Sequence, residues 1–299
     1  MSSPAPPFEP RLVVLHKRRA AQGFDQAAFL HHRAAEDLAD RLEAIPRNFD
    51  EALVLGAPRI VESVLNNRPD LRARIRNTTF ADIAPASGEI AADLEAIHFD
   101  AESFDLVVSP LLLHWANDLP GALVQLRRAL KPDGLLLATI FGGETLNELR
   151  LSFIEAESEL LGGAGPRVAP FAELQDLAGL LQRASFALPA ADRDRVAVRY
   201  GDPMRLLMDL RAMGETSALA ERPPANLSRR ILFRAMEIYR TRFSDPDGRV
   251  RATFDLLTMT GWAPHESQQK PLRPGSAKSR LADALNSTEH SAGEKPGES

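Results

Sequence analysis

No cysteine occurs among the 299 residues. That excludes a disulfide framework, thiolate zinc sites and a cysteine nucleophile, and it agrees with a reducing compartment. There is no run of about 18 consecutive apolar residues, so no membrane span is read. Positive charge is not in excess: the formal net charge is −5, which argues against a broad nucleic-acid footprint. Met1 to Pro10 is rich in Ser, Ala and Pro and lacks the apolar core of a secretory signal. It reads as a disordered leader, and the expected location is cytoplasmic. What the chain does contain, 44% apolar and 26% charged residues, is ordinary for a globular protein. Its length suits one large α/β domain with an appendage, or two small domains.

Hydrophobic periodicity orders the chain into alternating elements. Leu30, Ala34, Leu38 and Leu42 recur at four-residue spacing and predict a helix over 24–45. A short buried strand is predicted at 52–55, then a helix at 60–66 and strands at 78–83 and 104–110. An amphipathic helix over 119–130 stops near Pro132, and 134–141 (GLLLATIF) reads as a buried strand. Gly142-Gly143 ends it, and a helix follows over 144–161. The stretch 162–170, with three glycines and two prolines, is a loop. Beyond it come a helix at 171–183, a strand at 195–200, helices at 203–213 and 227–243, and a last strand at 250–260. This alternation predicts crossover units and a mostly parallel sheet with helices on both faces. The last strand should run antiparallel at or beside an edge, with the two preceding helices forming a cap over the ligand edge.

Open parallel sheets bind ligands beyond the carboxyl ends of their strands. The first such turn is Leu55-Gly56-Ala57-Pro58-Arg59-Ile60. A cofactor-binding turn uses several glycines so that the backbone approaches the ligand with amides free. Only Gly56 is present, Pro58 has no amide hydrogen and Ile60 is branched. The turn is read either as a cofactor turn or as a plain strand-to-helix connection. Asp82, at the second strand end, either accepts hydrogen bonds from a ribose diol or caps the next turn. Asp93 and Leu94 stand in a loop where a carboxylate followed by a backbone amide could read adenine; a solvated acidic loop is the alternative. His98-Phe99-Asp100 matches half of a facial iron triad but lacks a second histidine placed to complete it, so no metal site is expected. His31, His32 and His114 read as structural. Lys17-Arg18-Arg19 reads as a solvated face, or else as a partner patch.

Together, residues 52–149 resemble the core of class I S-adenosylmethionine (SAM) methyltransferases, notably across DLVVSPLLLHWANDLPGALVQLRRALKPDG from Asp105 to Gly134. Nearly the whole chain is similar to a narrower group, the mitochondrial complex I assembly factor 5 family and its bacterial relatives. The stretches that carry this likeness are Lys17-Arg18-Arg19, Leu113-His114-Trp115 with Asn117-Asp118-Leu119, and Gly142-Gly143-Glu144-Thr145-Leu146. They continue with Arg211-Ala212-Met213-Gly214-Glu215-Thr216 and Gly261-Trp262-Ala263-Pro264-His265-Glu266-Ser267-Gln268.

The resemblance implies a class I methyltransferase fold and SAM as cofactor, held by Gly56, Ala57, Asp82, Asp93 and Leu94. It implies an arginine hydroxylase of the same fold, or a methyltransferase, acting on a protein substrate, a subunit of the respiratory NADH dehydrogenase, during complex I assembly. The family is also similar to carboxyl methyltransferases of biotin synthesis, so a small-molecule or acyl-carrier carboxyl methyltransferase is an alternative. A non-catalytic assembly chaperone is another. Where the broad family has three glycines preceded by an acid, this chain has Val54, Gly56, Pro58 and Ile60, which predicts weak SAM binding. The expected organisation is a disordered leader and basic arm over 1–23, a methyltransferase-like domain over 24–265 with its cap at about 203–243, and a polar, largely disordered tail over 266–299. Gly261–Gln268 is expected either beside the ligand edge or on a partner surface.

Overall fold

The computed structural model describes residues 6–221 and 227–268. Seven strands form one sheet: β1 (Phe49–Leu55), β2 (Ile75–Asp82), β3 (Ile90–Ala91), β4 (Phe104–Pro110), β5 (Leu130–Phe141), β6 (Ala187–Tyr200) and β7 (Val250–Trp262). Their order is β3-β2-β1-β4-β5-β7-β6. Strands β1 to β5 pair in parallel, and β7 alone runs antiparallel, between β5 and β6. This is the mostly parallel architecture expected, with the antiparallel strand next to an edge.

Side-chain alternation along the strands divides the core between two faces. Ala52, Val54, Leu106, Val108, Leu135 and Leu137 pack on one face with α3 (Phe29–Glu43) and α4 (Pro58–Asn66). Leu53, Leu55, Val107, Leu136, Ala138 and Ile140 pack on the other, with α6 (Leu119–Ala129) and α8 (Leu174–Arg183). The strands are buried on both sides, which is why their sequence reads as unbroken apolar runs. A third cluster joins α7 (Asn147–Leu161) to the helices lying between β6 and β7, α9 (Pro203–Ala212) and α10 (Arg229–Phe243). Capping residues fix several starts. Asp118 accepts from the Gly121 amide at 2.9 Å, Asp202 from Met204 at 3.0 Å, and Ser228 from Ile231 at 3.2 Å.

Four differences from the sequence reading have clear causes. The predicted helix over 24–45 is broken into α2 (Phe24–Ala27) and α3 at Ala28. Strand β5 begins at Leu130, pairing with Phe104, and the Lys-Pro-Asp-Gly segment is an irregularity inside the strand rather than a turn before it. Strand β6 extends back to Ala187 because it is an edge strand whose solvent face carries charge, which hides its alternation. Arg33 and Arg41 pair with its Asp194 and Asp192.

The fourth difference is at the N-terminus. Within the region expected to be a disordered leader and basic arm, residues 10–20 form a regular helix, α1 (Pro10–Ala20). Phe8, Val13 and Ala20 are buried, and the Glu9 amide donates to Ala218 O at 2.8 Å. The periodicity was obscured because Lys17, though charged, sits on the buried side.

His265–Ser299 form a second unit. Of it only 265–268 are described, as a turn in which His265 Nδ1 and Ser267 Oγ lie 2.7 Å apart; the tail expected over 266–299 otherwise falls outside the described residues. Gly261 and Trp262 pair with Leu136 and Leu135, at the start of β5. They therefore lie at the end of the sheet opposite the carboxyl edge, because β7 is antiparallel. That corrects the expectation that they flank the ligand edge.

Candidate functional site

At the end of β1 the chain turns through Gly56 (φ +94°) and Ala57 (φ +46°) into α4. A Cβ on Gly56 would stand 2.7 Å from Leu112 Cβ, closer than real contacts allow, so this turn admits only glycine. The Gly56 amide donates to Ala81 O at 2.9 Å and the Ala57 amide to Asp82 Oδ2 at 3.2 Å. Asp82 Oδ1 also accepts from the Ala84 amide at 2.9 Å. Gly56, Ala57 and Asp82 thus form one interlocked unit. Asp82 caps the turn, as one of its two readings had it. An ionised carboxylate has about four acceptor positions, so this role leaves capacity for a ligand.

The unusual residues of the turn have local explanations. Pro58 occupies the first turn of α4, where an amide has no helical acceptor and proline is favoured. Ile60 is buried in the core between α3, α4 and the sheet, not in the turn's open face. The steric argument for weak SAM binding therefore does not hold in this geometry.

Asp82 pairs with Ala91 across the β2–β3 ladder, which brings Asp93 to the same edge two residues further on. Asp93 is exposed and its Oδ1 accepts from the Glu95 amide at 3.0 Å; Leu94 is buried. Asp93 and Leu94 line a cleft of about 550 Å³ with Ile83, Trp115 and, from α1, Val14 and Arg18. Gly56, Ala57 and Asp82 are not among its lining residues, although Ile83 adjoins Asp82. Helix α1 is the wall that sequence reading did not supply.

A second cleft of about 400 Å³ opens between the end of β5, α7 and α9. Its walls include Phe141, Phe153, Phe171, Phe254, Leu149 and Leu210, and Arg19, Arg211, Trp115 and Glu215 also border it. Trp115 lines both clefts.

Around Trp115 lies a buried polar cluster. Lys17 Nζ of α1 lies 2.6 Å from Glu215 Oε1. Trp115 Nε1 donates to Glu215 Oε2 at 3.0 Å, and His114 Nε2 lies 3.1 Å from the same oxygen. His31 Nε2 of α3 is 3.5 Å from Oε1. Burial opposes ionisation of Glu215, but Lys17 and the His114 and His31 hydrogen bonds outweigh it and hold its carboxyl well below the usual range. Burial drives the His31 pKa down to about 4, against weaker support from Glu215, and lowers that of His114 as well. Both histidines are therefore neutral at pH 7, in keeping with a structural role. The positions of Lys17 and Glu215 fall within stretches that carried the family likeness, but no sequence spacing could pair residues 198 apart. Lys17 is not part of a solvated face; Arg18 and Arg19 are exposed.

His98 is exposed, and among the described residues no group of three or more His, Asp or Glu side chains is arranged as a metal site. No helix among the described residues is long and apolar enough to cross a membrane.

The family model described as a methyltransferase domain matches residues 67–138. The human arginine-hydroxylase NDUFAF5, mitochondrial (Homo sapiens), is 40% identical over 258 residues, covering 83% of this chain and 74% of the relative. The malonyl-[acyl-carrier protein] O-methyltransferase of Halorhodospira halophila is 32% identical over 259 residues, covering 81% of this chain and 84% of the relative. Among solved structures, the 1,6-didemethyltoxoflavin-N1-methyltransferase of Burkholderia thailandensis, with S-adenosylhomocysteine bound, aligns at a TM-score of 0.46 and 15% identity over 89% of this chain and 94% of that one.

Proposed function

Because the chain belongs to the class I methyltransferase-like family that includes the arginine hydroxylase NDUFAF5, we propose that it is a SAM-binding enzyme that modifies arginine on a protein. The proposed substrate is a subunit of the respiratory NADH dehydrogenase, met during assembly of that complex. The observation that carries the reading is the pair of clefts separated by Trp115 at the carboxyl edge of the sheet. One has the acidic and apolar lining that an adenosine requires, and the other lies beside it under α9.

The residues present fit SAM. Asp93 offers an exposed carboxylate with acceptor capacity, beside the buried Leu94 and the apolar Ile83 and Val14. Asp93 and Leu94 would hold the cofactor's adenosine, while Gly56, Ala57 and Asp82 shape the adjoining floor. Bound SAM supplies an electrophilic sulfonium methyl group, whose transfer needs in-line positioning more than a strong base. The chain's own contribution is to orient and enclose. Asp82 holds the first turn through the Ala57 amide and its own following turn through the Ala84 amide, and α1 walls the cleft against water. Lys17 fixes α1 to Glu215, and the same carboxylate fixes the Trp115 ring between the clefts.

The reading is tested in cells by deleting the gene and mapping arginine modifications on the NADH dehydrogenase subunits by mass spectrometry. Loss of one modified arginine, restored by the wild-type chain and not by a D93A variant, is the expected result. An unchanged modification map overturns the reading.

A further inference from the structure

We propose that helix α1 and residues 214–220 act as one strap that couples the two clefts, so that a ligand in the Asp93 cleft sets the wall of the neighbouring cleft before a substrate enters it. The coupling rests on the SAM reading of the Asp93 cleft and adds to it a regulation of the site.

Helix α1 cannot hold itself. It has 11 residues, and isolated helices shorter than about 12–15 residues are marginal in water. Its order comes from what it packs against. Phe8 and Val13 join Ala218, Leu219 and Trp115 in one buried cluster. The main chain ties the same two segments together. The Glu9 amide donates to Ala218 O at 2.8 Å, and the Ala220 amide donates to Pro7 O at 2.9 Å. His16 Nδ1 lies 3.0 Å from Thr216 O, and Lys17 adds its ion pair with Glu215. The dependence is mutual. Residues 215–218 belong to no helix or strand, so the N-terminal segment supplies much of what holds them in place.

The strap faces both clefts. Val14, Leu15 and Arg18 on one side of α1 line the Asp93 cleft. His16 and Arg19 on its other side border the second cleft, together with Glu215, Thr216 and Ser217. Trp115 lines both, held by its bond to Glu215 and by the Phe8 ring, whose centroid is 5.1 Å away. A ligand lying against Val14 and Leu15 adds apolar contact to the docked helix and to that state alone, so it raises the docked fraction. The docked state is also the one that orders 214–220. Linkage makes the effect reciprocal: whatever orders 214–220 raises the affinity of the Asp93 cleft.

The test is hydrogen–deuterium exchange of the full chain with and without saturating S-adenosylhomocysteine, with calorimetry on the same samples. Exchange across 214–220 should slow by about fivefold or more, the low end of usual coupling between sites, while exchange across α10 stays unchanged. Leu219 is 5% exposed and lines neither cleft. L219A should nevertheless weaken S-adenosylhomocysteine binding about fivefold. L71A is the control: Leu71 is buried just before β2 begins, at the amino end of the sheet, and its loss should leave the affinity unchanged. Binding that does not slow exchange at 214–220, slowing that extends equally to α10, an affinity untouched in a folded L219A, or L71A as damaging as L219A overturns the coupling. Absence of any heat of binding overturns the SAM reading and the coupling with it, so the two failures are told apart. If L219A does not fold by circular dichroism, exchange in the wild-type chain decides alone.

Discussion

Lys17 Nζ and Glu215 Oε1 are 2.6 Å apart, with side chains 11% and 3% exposed. This one contact ties the N-terminal helix to the segment that follows α9. Removing one partner of such a pair leaves an uncompensated buried charge and typically costs about 3–5 kcal/mol. K17A and E215A are each expected to destabilise by roughly that amount in urea unfolding. Replacing both by apolar residues, as in K17M/E215L, should cost about 2 kcal/mol less than the two single changes added together. Strict additivity would mean that the contact is not formed in solution.

The same cluster makes stability depend on pH. The folded pKa of His31 is lowered from the ordinary 6.5 to about 4, and that of His114 is lowered too. A group whose folded pKa is depressed gives stability that is complete above its unfolded pKa. That stability is lost as pH falls through the folded value. The unfolded chain takes up protons near pH 6.5 while the folded chain resists until about 4, so stability should fall across that window. For His31 the loss is on the order of 3 kcal/mol at about 1.4 kcal/mol per pKa unit. Glu215, whose folded pKa is also lowered, adds to the loss below its ordinary 4.5. Thermal unfolding from pH 7.5 to 4 should show this decline, and H31F should flatten it. A decline of equal steepness in H31F would remove His31 as its cause.

Gly56 should not tolerate a side chain. G56A puts a Cβ against Leu112 and holds a non-glycine residue at φ +94°. A cost of about 1–3 kcal/mol is expected, with loss of S-adenosylhomocysteine binding even where the variant is still folded. Full stability in G56A would mean that the turn is looser than described.

Restoring glycines in the first turn separates its two odd residues. P58G should leave the affinity for S-adenosylhomocysteine nearly unchanged, because Pro58 does not line the cleft that holds Asp93 and Leu94. I60G should destabilise by several kcal/mol, because Ile60 is 2% exposed within the core. A large gain in affinity from either change would restore the view that the turn is impaired.

The parts of the molecule legible in sequence are those set by local chemistry. The run from Phe104 to Pro110 is a strand with those bounds, and Leu30, Ala34, Leu38 and Leu42 do share the buried face of α3. The antiparallel last strand and the two helices before it were also legible. What stayed hidden depends on distant partners. Helix α1 was unreadable as a wall because its burial rests on residues distant in sequence, Trp115 and Glu215, the latter 198 residues from Lys17. The start of β6 was masked by charges whose partners lie on α3. Ile60 looked like an obstacle because its residue type was visible and its direction was not.

The most direct test of SAM use titrates S-adenosylhomocysteine into the full chain and into D93A by isothermal calorimetry. One-to-one binding to the wild type is expected. Binding should be about tenfold weaker in D93A, the usual scale for losing one charged hydrogen-bond partner, with unfolding midpoints unchanged because Asp93 is exposed. No heat of binding in the wild type, or equal affinity in D93A, would contradict a cofactor held at the carboxyl edge by Asp93.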